Sequence, residues 1–329
     1  MTQNIRLKSI EVYHPSQSVD NEFYISHFKE QGKDILNFLK HMGRESRYII
    51  DNNEENGLTM GIAAARKALD KAGLSGEDID MIVFSTQVPE TTFPSNAMFV
   101  HAAIQGKTDA IVMDSNANCA GMTLAMDQAS RYMRGNIDCR TALIIGSDYN
   151  TLLCSPENEI TYANYGDAAC AVVLEQSDED TGLIDCVYST HSSLAEKIRF
   201  PAEGLAKAVR ENADFKSIQW LPFEADSAMP PTFAMLDKLL SRNSLVASDV
   251  KAYCFSQFSI ANIVRIQGHL KLDESQFIYV GDRYGYTGTS SPFIALYEGI
   301  KSGQIQRGDT VCFWTIGCGF QLVAMLWKY

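Results

Sequence analysis

The chain has 329 residues, 46% of them hydrophobic and 21% charged, with a formal net charge of −12. That is the balance of a globular protein long enough for a sizeable core, and without a Lys/Arg-rich block it excludes a nucleic-acid partner. No apolar run is long enough to span a bilayer, and the opening Met1-Thr-Gln-Asn-Ile-Arg-Leu-Lys lacks an apolar signal core, so a cytoplasmic location is expected. The eight cysteines contain no C-x-x-C pair and the six histidines have no metal-ligand spacing, so free thiols and no metal site are expected. G-x-S-x-G and G-x-x-x-x-G-K-[ST] signatures are also missing.

In chain order, Asp78-Ile-Asp-Met-Ile-Val-Phe84 reads as an acidic turn entering a buried strand, and Asp109-Ala-Ile-Val-Met113 as a second strand. The run Asp114-Ser-Asn-Ala-Asn-Cys-Ala-Gly-Met122 follows, and then Met122, Ala125, Ala129 and Met133 at the spacing of one helix face. Cys119 thus sits on a strand-to-helix turn. The unpaired N–H groups and positive dipole end of a helix favour thiolate, which is the nucleophilic form of cysteine. Arg134-Gly-Asn-Ile137 and the strand Thr141-Ala-Leu-Ile-Ile-Gly146 close this set, and Tyr165 to Leu174 reads as a tight turn into another buried strand.

The second half repeats the order. Asp249-Val-Lys-Ala-Tyr-Cys-Phe255 takes the first role, and Phe277-Ile-Tyr-Val280 the second strand. A Gly/Thr/Ser turn, the helix Pro292–Ile300, Ser302-Gly-Gln-Ile305 and the strand Thr310-Val-Cys-Phe-Trp314 complete it. Aligning Gly135 with Gly303 places Thr287 opposite Cys119. Alternating strands and helices imply two pseudo-symmetric α/β units, 1–180 and 181–329, with mostly parallel sheets and a pocket between the halves. Residues 191–232, with Pro201, Gly204 and Met229-Pro-Pro231, read as an irregular excursion that caps this pocket.

With these elements in order, nearly the whole chain resembles the thiolase superfamily, and within it the β-ketoacyl-acyl-carrier-protein synthase III group. The likeness rests on Gly43-Arg-Glu-Ser-Arg-Tyr48, Phe93-Pro-Ser-Asn-Ala97, Cys119-Ala-Gly121, Tyr165-Gly-Asp-Ala-Ala-Cys-Ala171, Tyr284–Ser291 and Ile316-Gly-Cys-Gly-Phe320. It implies a layered αβαβα fold, a homodimer, and transfer of an acyl group from a phosphopantetheine thioester, on coenzyme A or a carrier protein, to Cys119. It also implies backbone oxyanion donors at Cys119 and in the Gly317-Cys318 turn. Phe93 falls where a dimer partner's phenylalanine closes the family's acyl tunnel; a core aromatic is an equal reading. No permanently bound cofactor is implied.

Two departures stand out. The family's catalytic His and Asn are replaced by Ser259, in Ser259-Ile-Ala-Asn262, and by Tyr286. Ser259 and Tyr286 are therefore the candidates for polarising a carbonyl, with Asn262, Thr287 and Gly317 as substrate-binding candidates. A hydroxyl cannot act as cation or base near neutral pH as imidazole does. Loss of two enolate-stabilising donors costs roughly 3–4 kcal/mol each, so decarboxylation is expected to be impaired while acylation of Cys119 survives. The aromatic and basic grip on the coenzyme A adenine is also lost, its positions holding Asn37, His41 and Glu159. A carrier-protein donor would need a basic patch; Lys197/Arg199 and Lys207/Arg210 are candidates, though a solvated surface is the plainer reading. His101, His191 and His269 are read as structural. The expected activity is an acyltransferase in fatty-acid-like or secondary-metabolite biosynthesis. The alternatives are a decarboxylating 3-oxoacyl synthase, or a non-catalytic subunit in a heterodimer with a related condensing enzyme.

Overall fold

The computed structural model of the chain describes residues 4–211 and 217–329. Two mixed sheets organise it. The first contains β1 (Asn4–Tyr13), β2 (Met81–Ser85), β3 (Ile111–Ser115), β4 (Thr141–Asp148) and β5 (Ala168–Ser177), in the order β1-β5-β4-β2-β3. The second contains β6 (Gly182–Thr190), β7 (Ala252–Phe255), β8 (Thr310–Gly317) and β9 (Gln321–Lys328), in the order β7-β8-β9-β6. The chain passes from one sheet to the other between Ser177 and Gly182.

Six helices cover the sheets: α1 (Gly57–Ala72), α2 (Asn96–Ile104), α3 (Gly121–Gly135), α4 (Met229–Arg242), α5 (Ile260–Leu270) and α6 (Ser291–Lys301). Their apolar faces build three cores. One joins α1 and α2 to the outer face of the first sheet. The second clasps α3 and α6 between the sheets, and the third joins α4 and α5 to the outer face of the second sheet. The result is the five-layer αβαβα order. Met122, Ala125, Ala129 and Met133 of α3 are all buried, as their spacing requires, and each methionine contributes about 2 kcal/mol by leaving water.

Three expectations are corrected. The sheets are mixed rather than mostly parallel. The β2/β3, β2/β4 and β7/β8 pairs are parallel, while β1/β5, β4/β5, β8/β9 and β6/β9 are antiparallel. The β8–β9 hairpin, closed through Gly319 and Phe320 at positive φ, is the connection that an alternating reading overlooks. Phe277–Val280 is no strand; Phe277 forms an isolated bridge to Tyr253 and packs its ring on Tyr253 and Phe255, and the Ile278 N–H donates to the Tyr253 carbonyl. Met229-Pro-Pro231 is not loop but the first turn of the 14-residue α4, where missing N–H groups cost nothing. The rest of the excursion holds the ribbon Ile198–Arg199 with Gln219–Trp220 and the short helix Leu205–Glu211. No helix among the described residues is long and apolar enough to cross a membrane.

Candidate active site

Cys119 lies in the turn between β3 and α3, 6% exposed. It forms one wall of a cavity, together with Tyr165, Tyr286, Phe258, Trp220, Asn262, Gly317 and Cys318. Both halves build this cavity, and Leu194, Lys197, Ile198 and Phe223 of the excursion also line it. The Trp220 and Phe258 rings lie parallel, 5.9 Å between centroids, and Phe258 meets Tyr286 edge-on at 5.1 Å. No histidine lines the wall beside Cys119 among the described residues.

The second half grips the nucleophile turn directly. The Thr315 hydroxyl donates to the Cys119 carbonyl at 2.9 Å. Gly317 comes so close that a Cβ there would stand 2.7 Å from the Ala117 carbonyl oxygen, so only glycine lets the two turns meet. Neither the Cys119 nor the Cys318 backbone N–H is used as a donor in the turn and loop hydrogen bonds of the described residues.

The helix start does not serve the sulfur as its position suggests. The Ala120 and Gly121 N–H groups donate to the carbonyls of Ala117 and Asn118, and Met122 N–H donates to Thr289 Oγ1 at 2.7 Å. The neighbour that governs Cys119 is Cys318. The thiol–thiol interaction holds Cys119 well above the ordinary cysteine value, aided by burial, and the same interaction draws Cys318 below its own. Of the two sulfurs, Cys318 is the one favoured to ionise, with the Cys119 S–H donating to it. The Tyr286 hydroxyl favours the Cys119 thiolate, while burial and the adjacent thiol keep that hydroxyl protonated. The Gln87 amide oxygen accepts from Cys119 Sγ at 3.9 Å.

Gln87 belongs to a buried network that the sequence reading missed. Its amide donates to Asn150 Oδ1 at 3.0 Å, and its backbone N–H to Asp148 at 2.8 Å. Asp148 also accepts from Thr86 Oγ1 and from the Thr289 N–H, joining the ends of β2 and β4 to the turn before α6. Burial pushes the Asp148 carboxyl up to about 6. The available signal was positional: ligand sites in α/β sheets gather outside the carboxyl ends of strands, where Gln87 and Asp148 lie.

The other candidates are placed as follows. Tyr286, Asn262, Gly317 and Cys318 face the cavity. Ser259 does not: it caps α5, accepting from Ala261 N–H and donating to the His41 carbonyl, so its hydroxyl is occupied away from the sulfur. Thr287 is buried outside the wall and accepts from Ser290. Phe93 is 85% exposed and lines no cavity near Cys119. His269 stacks on Phe233 and meets Asp237, and His101 bonds to the Lys107 carbonyl. His191 lies at an outer opening with Lys197 and Phe223. Glu159 pairs with Lys33, and Lys207 with Glu203 and Glu211.

Two models of 3-oxoacyl-[acyl-carrier-protein (ACP)] synthase III match this chain, one over residues 113–192 and its C-terminal counterpart over residues 240–329. The chain belongs to the 3-oxoacyl-[acyl-carrier-protein] synthase III family. Between them the matched segments carry Cys119, Ser259, Asn262, Tyr286 and Cys318. The β-ketoacyl-[acyl-carrier-protein] synthase III of Xanthomonas campestris pv. campestris (strain 8004) is 28% identical over 298 residues, 87% of each chain. The crystal structure of 3-oxoacyl-[acyl-carrier-protein] synthase III from Aquifex aeolicus VF5 superposes with a TM-score of 0.87 at 23% identity, covering 99% of this chain and 100% of that one. The priming β-ketosynthase from the R1128 polyketide biosynthetic pathway gives 0.87 at 20% identity, over 99% and 97%. At these identities the superpositions bear on the fold.

Proposed function

We propose that this synthase III family member is an acyltransferase that loads an acyl group from a coenzyme A or carrier-protein thioester onto Cys119 and passes it to an acceptor without decarboxylating a malonyl unit. The observation that carries the reading is the cavity wall: the Cys119 sulfur beside Cys318, backbone N–H groups of both residues that donate to no turn or loop carbonyl, and no imidazole beside them among the described residues. In this reading Cys119 Sγ attacks the thioester carbonyl carbon as its proton passes to the Cys318 thiolate. The carbonyl oxygen gathers charge against the Cys119 and Cys318 N–H groups. Collapse breaks the carbon–sulfur bond to pantetheine, whose thiolate takes the proton from Cys318. The products are acyl-Cys119, free pantetheine thiol and a restored Cys318 thiolate.

A second reading has one observation in its favour. Tyr286 and Asn262 both face the cavity and can donate hydrogen bonds, so an enolate formed from a malonyl thioester would meet two donors there. The likeness to the family and to a polyketide priming ketosynthase supports a place in lipid or polyketide biosynthesis for either reading. A homodimer fits the exposed edge strand β3 and the exposed Phe93, Met98, Phe99, Met113 and Tyr132 around it.

Intact mass of the wild type and of Cys119→Ala after exposure to acyl-coenzyme A and acyl-carrier-protein thioesters tests the proposal. An adduct on the wild type alone is expected. No adduct from any donor would turn the reading towards a non-catalytic subunit. Carbon dioxide released from labelled malonyl thioester in step with product would establish the second reading.

A further inference from the structure

We infer that the acyl group carried by Cys119 is a polar one, bearing a neutral hydrogen-bonding substituent such as a hydroxyl within a few atoms of the thioester carbonyl; this rests on the acyl-transfer reading above. A second recess adjoins the apolar cavity and shares Tyr165, Ile198 and Cys318 with it. Four amides line it, the buried Asn150, the half-buried Gln87 and Asn118 and the exposed Asn116, together with Arg199 and the apolar Leu153, Phe200 and Ile218. The two chambers meet beside the nucleophile, since Cys318 lines both and Gln87 reaches Cys119 Sγ. A thioester whose carbonyl sits at Cys119 can therefore lay its pantetheine arm along the Trp220 and Phe258 side and its acyl tail among the amides.

These amides retain unspent capacity. Asn118 makes no side-chain hydrogen bond among the described residues, its turn being fixed by its backbone groups. Asn116 accepts from the Asn118 N–H through Oδ1, which leaves its NH₂ group available. Asn150 accepts from Gln87, and its own NH₂ reaches only a long 3.5 Å contact with the Tyr286 carbonyl. An alkyl tail would strip water from these groups and return nothing, and a site built to hydrogen-bond discriminates strongly against a partner that cannot. Charge matters less here. Arg199 is paired with Glu196, so the chamber offers neutral dipoles rather than a free cation to a tail carboxylate.

Single-turnover acylation followed by intact mass, with the pantetheine thioesters of 3-hydroxybutyric and butyric acid as probes, decides the matter. The hydroxylated probe is expected to load Cys119 at least tenfold faster. In Asn118→Gly, which keeps the left-handed backbone of φ 53° and removes only the amide, the ratio should fall towards one, with circular dichroism verifying the fold. Equal or faster loading of butyrate, or an unchanged ratio in Asn118→Gly, overturns the inference. If neither probe acylates the protein and the coenzyme A and carrier-protein thioesters also leave no adduct, the acyl-transfer reading fails by itself. The chamber is then read by protection of Cys119 from iodoacetamide: stronger protection by 3-hydroxybutyramide than by butyramide sustains it, and equal or no protection overturns it.

Discussion

Thr315 donates its hydroxyl proton to the carbonyl of Cys119, so the last parallel strand of the second half holds the nucleophile turn of the first. Thr315 is fully buried and this is the bond its hydroxyl makes. Thr315→Val keeps the shape and removes the donor, leaving a buried carbonyl unpaired. The expected loss is about 1–2 kcal/mol of stability in urea unfolding. Acylation of Cys119 should slow by roughly tenfold or more, because sub-ångström misplacement of the sulfur costs rate as well. A variant that loses stability but acylates at the wild-type rate would show that the contact braces the fold without aiming the nucleophile.

The shared proton of Cys119 and Cys318 makes a separate prediction. Cys318 is drawn below the ordinary thiol range and Cys119 held above it, chiefly by their mutual interaction. Limiting iodoacetamide near neutral pH should therefore mark Cys318 first, as read by peptide mapping. In Cys318→Ala the largest influence raising Cys119 is gone, so the pH midpoint for alkylation of Cys119 should move down. A midpoint that stays or rises would mean that burial, not the neighbouring thiol, sets the ionisation of Cys119.

Periodicity and repeats made much of this architecture legible. The face Met122, Ala125, Ala129, Met133 and the ordered match of the two halves point to α3 and to two related sheets, because burial imposes the same spacing on both. Ser259 shows the limit. Its motif position marks it for the site, yet a serine ahead of a helix also has the chemistry of a cap, and the backbone of α5 claims it. Gln87 and Asp148 were invisible for the opposite reason. They lie far apart in sequence and are joined to each other and to Thr289 only by tertiary hydrogen bonds. The turn Gly317–Gln321 escaped because hairpin and crossover connections differ in a few residues of backbone conformation, not in hydropathy.

Arg44 is 3% exposed and makes no salt bridge among the described residues; it donates instead to the carbonyls of Met42, Asn164, Gln257, Phe258 and Gly281 and to the Tyr279 hydroxyl. This fan ties the Phe258 segment of the cavity to the loop before Tyr165. Lysine has three donors on one nitrogen and cannot span these acceptors. Arg44→Lys should cost about 3 kcal/mol or more in chemical denaturation, since several buried carbonyls lose their partner. A loss below about 1 kcal/mol would show that water replaces the guanidinium.

The pH dependence of stability should carry the mark of two buried carboxyls. Asp148 and Asp167 are each raised from 3.8 to about 6, principally by burial. A carboxyl whose folded-state value is raised binds more protons folded than unfolded between those two values, so stability falls as pH rises through that window. These groups stabilise the fold fully below the unfolded value and give that contribution up as pH passes about 6. The midpoint of thermal unfolding should accordingly drop between pH 5 and pH 7, against the common trend in which salt-bridged carboxylates gain stability with pH. Asp148→Asn removes one titration and should flatten the slope. It also turns an NH₂ group towards a donor that Asp148 accepts, either the Gln87 N–H at Oδ1 or the Thr289 N–H at Oδ2, so the variant should be less stable than the wild type at pH 7 and acylate Cys119 more slowly. Calorimetry of both proteins at pH 5, 6 and 7 checks this, and a wild-type midpoint that rises across the range would show that Asp148 and Asp167 ionise near the ordinary value.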